Sequence, residues 1–330
     1  MSFHGGIRMN LGRLLLYLIA TSTLAAAAAT GIEQMPKGIT VNAGQTLDLS
    51  GRTIQTPSVT VNGGTLILNG TTLIMDGTTD GGANIWVKAG GTMNILSSSE
   101  IKSANSYNYT FWVDAGATFE MRDSKISQCG YGAVEKNKGL YVQADNAIIE
   151  NNVFGENHYC LFLKGMRNAK VLGNEFDGCS MRALTATQST TAEISSNIFG
   201  INKNQEALLT SVSLISTLDS LVSGNVFLNE RGIELSLTNA TTLSNNSFSE
   251  GPESLSIGTS GDTCPSCSVD NILEDNQING KLSIYGMRNT VRGGTVKAEL
   301  NLATRANSNK FDGVKFENSD MVLNSQTTSG

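Results

Sequence analysis

The sequence predicts an all-β solenoid, a parallel β-helix of about 12 coils that follows a short leader. Three observations predict it. The phrase apolar-x-x-Asn-x-Phe recurs between residues 149 and 248, as Ile149-x-x-Asn152-x-Phe154, Val171-x-x-Asn174-x-Phe176, Ile194-x-x-Asn197-x-Phe199, Val222-x-x-Asn225-x-Phe227 and Leu243-x-x-Asn246-x-Phe248. The steps from Asn to Asn are 22, 23, 28 and 21 residues, a period that marks stacked structural repeats. A short apolar alternation precedes each phrase, for example Ile85-Trp86-Val87, Leu140-Tyr141-Val142 and Leu255-Ser256-Ile257. No helical period intervenes.

Residues 1–29 stand apart. Arg8 and Arg13 precede the apolar run Leu14–Ala29, which ends Ala27-Ala28-Ala29. A basic start, an apolar middle and small residues at the end describe a secretory signal. At 16 residues the run is short for a membrane span, which needs about 20. The expected division is therefore a signal peptide over 1–29 and one β-helix domain over 30–330, with no membrane span after cleavage. Removing Arg8 and Arg13 takes the formal charge from −6 to −8. An acidic mature chain argues against nucleic acid or an anionic membrane as partner.

Each phrase flanks a small polar corner with two apolar residues. The residues just before the corner are Asn151, Gly173, Ser196, Gly224 and Asn245. Gly and Asn adopt left-handed backbone angles at little cost, so the phrase reads as strand, sharp bend, strand. Stacking the bends places the corner Asn residues in one column, where their amides can hydrogen-bond along the stack. Weaker copies extend it from Leu49-x-x-Arg52-x-Ile54 to Phe311-x-x-Val314-x-Phe316, giving twelve in all.

Together these repeats resemble the right-handed parallel β-helix of pectate-lyase-like proteins, over roughly residues 38–324. The resemblance implies the hand of the coil. For function it implies a range: polysaccharide lyases, glycoside hydrolases, surface adhesins.

Export permits disulfides. Cys264-Pro265-Ser266-Cys267 lies in the polar insertion 258–270, where a local Cys264–Cys267 bridge is expected. Cys129, Cys160 and Cys179 fall in three successive coils. Adjacent coils lie about 4.8 Å apart, so Cys160 should pair with Cys129 or Cys179 and leave one thiol free. Of four glycosylation sequons, at Asn69, Asn108, Asn239 and Asn245, Asn108 has the most loop-like setting.

With Val87, Val113, Val142 and Leu163 pointing inward, alternation turns Trp86, Trp112, Tyr141 and Phe162 outward. These four form the expected substrate-binding ladder, bordered by Lys88, Asp114, Gln143 and Lys164. A row of exposed rings offers a stacking surface for sugars. The alternative is that Tyr107, Tyr109 and Tyr131, from the preceding loops, cover it. Catalytic signatures are sparse. The Gly-His-Gly of polygalacturonase-type hydrolases is absent, and so is the carboxylate set with which pectate lyases hold calcium. Phe111-Trp112-Val113-Asp114 faintly resembles the Trp-Ile-Asp-His segment of those lyases, with Ala115 in place of the His. Asp76 and Asp80, in a Gly-rich loop, are candidate calcium ligands that more often serve turns. The best constellation for chemistry is Asp114, Glu156, His158, Lys164 and Arg182, of which Asp114, Lys164 and Arg182 are the catalytic candidates.

Three readings follow. The first is an exported, non-catalytic β-helix, secreted, periplasmic or at the cell surface, that binds polysaccharide or cell-surface glycan and has no cofactor. The second is a polysaccharide lyase or glycoside hydrolase, with Ca2+ if a lyase. The third is an envelope or filament subunit that associates end to end. A flat aromatic face favours the first, converging carboxylates the second, and an uncovered last coil the third.

Overall fold

The computed structural model describes residues 31–200, 210–229, 231–258, 268–303 and 306–324. The leader 1–29 and Cys264–Cys267 lie outside these residues. The chain winds through three parallel sheets, visited in turn. The first and second sheets have 13 strands each and the third has 12. The first begins at Glu33–Gln34, the second at Ile39–Asn42 and the third at Thr46–Asp48. Every strand pairs in parallel with its counterparts one coil away, which is the predicted architecture.

The repeated phrase spans the corner between the third and first sheets. In Ile149-x-x-Asn152-x-Phe154, the strand Ile148–Glu150 belongs to the third sheet and Val153–Gly155 to the first. Asn151 bends the chain at φ 55°, and Gly173, Ser196, Gly224 and Asn245 do so at φ 63°, 59°, 62° and 55°. The corner residues form the expected column. Asn152, Asn174, Asn197, Asn225 and Asn246 each donate from Nδ2 to the Oδ1 of the next Asn, at 2.9–3.0 Å, ending on Asn276. All six are buried. Beside them Phe154, Phe176, Phe199, Phe227 and Phe248 stack face to face, with centroids 4.5–5.0 Å apart. A second left-handed column, unannounced by the phrase, precedes the third sheet: Asn146, Asn168, Thr191, Asp219, Ala240, Asp270 and Arg288. Its later coils carry their own amide ladder, Asn271 to Asn289 to Asn309.

Of the two pairings left open, Cys160–Cys179 forms, and Cys129 is a buried free thiol. Asn108 is less open than its loop setting suggested: its Nδ2 donates to Gly130 O at 2.7 Å. No helix among the described residues is long and apolar enough to cross a membrane.

Candidate functional site

The aromatic column lies on the outer face of the second sheet. Strand register puts Trp86, Trp112, Tyr141 and Phe162 side by side in four successive coils, then Thr185, Ser213 and Glu234. Their inward neighbours Val87, Val113, Val142 and Leu163 belong to the core. The side assignment made from alternation therefore holds, but the column is not one exposed strip. Trp86 and Trp112 are half-buried, whereas Tyr141 is 3% and Phe162 4% exposed. The rings pair off, Trp86 with Trp112 at 5.4 Å and Tyr141 with Phe162 at 5.6 Å.

The cover is not the set of tyrosines considered as the alternative. Tyr109 is a core residue, Tyr107 is exposed, and the Tyr131 ring sits beside Gly81. Charged residues of the strap between Gly130 and Gly139 contact the rings instead. Both glycines are required: a Cβ on Gly139 would fall 1.7 Å from Tyr159 O, and one on Gly130 2.4 Å from Lys138 C. Between them, Glu135–Asn137 forms a single 3-10 turn. Lys136 Nζ stands 5.7 Å from the Trp86 centroid and 5.5 Å from that of Trp112. Lys138 Nζ stands 4.7 Å above Phe162 and 5.2 Å from Tyr159. Lys88 stands 4.2 Å over Trp86. Cations favour such positions because the ring face is electron-rich.

The three catalytic candidates are each ion-paired with a different partner. Asp114 accepts from Trp86 Nε1 at 2.6 Å and pairs with Lys136 at 3.4 Å. Lys164 pairs with Glu135 at 2.5 Å, and Arg182 with Glu234 at 3.4 Å. His158 makes an edge contact with the Tyr159 ring. Sequence reasoning missed Glu135, Lys136, Lys138 and Tyr159. The signal present was Glu135-Lys136-Asn137-Lys138, an alternation of charge held in a short loop after Gly130 and before Gly139.

The middle of this face has perturbed electrostatics. Burial, and then the charge of Glu135, push the Tyr141 phenol up to about 12. Burial lowers Lys138, with Arg182 and Lys164 adding to the effect and Glu135 opposing it. Burial and the nearby Lys138 lower His158. Trp112 Nε1, Arg182 Nε, Thr185 Oγ1 and Ser213 Oγ are buried without a hydrogen-bond partner. Elsewhere, Asp76 accepts from Gln55 Nε2 and Asp80 from the Asn108 backbone N–H, bonds that tie neighbouring coils together. Among the described residues no three His, Cys, Asp or Glu side chains are grouped to hold a metal ion. A shallow open groove of about 520 Å³ lies near the corner, lined by residues including Glu100, Asp123 and Lys125.

Residues 83–248 match the family described as right handed beta helix region. The chain belongs to that family. The matched span contains the aromatic column and the strap. This right-handed β-helix, of the pectate-lyase-like fold, is similar to the periplasmic alginate epimerase AlgG, with 11% identity over 85% of this chain and 84% of that one, at a TM-score of 0.50. Matches at lower TM-scores include the Azotobacter vinelandii mannuronan C-5 epimerase AlgE4 A-module (13% identity, 87% and 91% covered, 0.36) and the Streptococcus pneumoniae surface protein and adhesin PfbA (10%, 82% and 91%, 0.31). At these identities the likeness establishes the fold alone. Comparison with curated proteins gives no match.

Proposed function

We propose that this β-helix is an exported, non-catalytic carbohydrate-binding protein of the cell surface or envelope. The Trp86–Trp112 pair carries this reading. It presents two adjacent indoles on a sheet's outer face, rimmed by Lys88, Asp114 and Lys136. Flat rings take the apolar faces of sugars, while the polar rim bonds hydroxyls. The pairing of Asp114, Lys164 and Arg182 with separate partners favours binding over acid–base chemistry, which needs groups converging on one reacting atom. The likeness to a periplasmic alginate epimerase agrees with a carbohydrate ligand and an extracytoplasmic place.

One observation favours the enzyme reading instead, a polysaccharide lyase or glycoside hydrolase, with Ca2+ if a lyase. Tyr141, Lys138 and His158, all perturbed, share one patch, and such clusters concentrate at active sites. A glycan array run beside a product assay on the secreted protein separates the readings. Retention of a glycan without cleavage or unsaturated products is expected; turnover of any bound glycan would replace the binding reading by the catalytic one.

A further inference from the structure

The Trp86–Trp112 seat already holds an ammonium group, the protein's own. Lys136 Nζ lies 5.7 and 5.5 Å from the two indole centroids and 3.4 Å from Asp114 Oδ1. Asp114 is fixed in turn by Trp86 Nε1 at 2.6 Å. Two ring faces and one oriented carboxylate are the parts from which ammonium sites are built. The side chain filling this one is 47% exposed and hangs from a short strap. It can therefore swing into water without disturbing a strand. Of the other cations of the face, Lys164 pairs with Glu135, Arg182 pairs with Glu234 and Lys138 stands over Phe162, whereas Lys88 stands 4.2 Å over Trp86 and shares that ring with Lys136. Buried beside the seat, Trp112 Nε1 is a donor without an acceptor.

We infer that the seat takes the primary ammonium of an amino sugar, and that Lys136 occupies it as a stand-in until the glycan arrives. This rests on the carbohydrate reading and names the ligand class within it: a glycan with free, not N-acetylated, amino groups. The exchange conserves local charge, because one ammonium replaces another between the indoles and Asp114. Binding and release of Lys136 are then one event, so the strap sets affinity through competition.

The test is a titration of the full chain with a β-1,4-glucosamine hexamer, its fully N-acetylated counterpart and an oligogalacturonate of equal length. The glucosamine hexamer should bind at least tenfold more tightly than the other two. Asp114→Asn should weaken it tenfold or more. Lys136→Ala should tighten it threefold or more, whereas Lys125→Ala, which removes the same charge from another exposed site, should not. Four results overturn the inference: equal binding of the acetylated hexamer, weaker binding in Lys136→Ala, an equal gain in Lys125→Ala, or no binding of the glucosamine hexamer. If the acetylated hexamer or the uronate binds instead, and Trp112→Ala abolishes it, the carbohydrate reading stands while the ammonium inference falls. If none of the three binds, the inference falls and the glycan array decides the wider reading. Should Asp114→Asn fail to fold, the Lys136→Ala and Lys125→Ala pair still decides.

Discussion

The side chain of Asn197 makes four hydrogen bonds without leaving the corner. Its Oδ1 accepts from Asn174 N and Nδ2, at 2.8 and 3.0 Å, and its Nδ2 donates to Val171 O and Asn225 Oδ1, at 2.9 and 3.0 Å. Leucine matches its size and none of its bonds. At about 1 kcal/mol per bond, Asn197→Leu should cost about 3–4 kcal/mol in denaturant unfolding. Asn62→Leu, at an exposed site with a single 3.4 Å side-chain bond, should cost under about 0.5 kcal/mol. Similar losses at both would remove the ladder from the account. The Phe column answers to packing instead. Phe199 lies between Phe176 and Phe227, at 5.0 and 4.9 Å and fully buried. Its replacement by Ala should cost about 3–5 kcal/mol, and a loss below about 1 kcal/mol would mean the column does not carry the core.

At the scale of the element, the bend and the strap follow different rules. Ser196 holds φ 59° at its corner, a conformation that costs a residue with a Cβ about 1–2 kcal/mol. Ser196→Val, β-branched, should therefore melt lower than Ser196→Gly, and the reverse order would contradict a left-handed bend. The bends were legible from sequence because Gly and Asn recur at a fixed offset from the apolar pair. The strap was not. Its grip on the aromatic column comes from where Glu135, Lys136 and Lys138 land, and no period encodes that. The same cause hid the cover over Tyr141 and Phe162: alternation tells which side of a sheet a ring leaves, not what lies above it. The strap has a pH signature. An unfolded phenol ionises near pH 10, while Tyr141 in the folded chain does so at about 12. Its contribution to stability is thus fully present below about pH 10 and lost as pH rises through about 12. Tyr141→Phe should flatten that part of the alkaline stability profile. Tyr109, also raised by burial, leaves a residual slope, and an unchanged profile would show Tyr141 to be open to solvent.

For the whole molecule, parallel winding turns a residue's place in its repeat into a place along the face. That is why two tryptophans 26 residues apart in sequence become neighbours, and why an extended ligand suits the fold. The architecture was readable from a dozen imperfect copies of one phrase, since each Asn or Phe column reinforces the others. The site was readable only as a column of rings; its division into a half-buried indole pair and a covered rear pair depends on one loop. The central claim, that the indole pair is a binding surface and not a floor for the strap, is tested by Trp112→Ala. A thermal melt is recorded beside a titration with whichever glycan the array identifies. The account predicts binding weakened at least tenfold, roughly 1.4 kcal/mol, with the melt nearly unchanged. A lowered melt with an unchanged titration would contradict it.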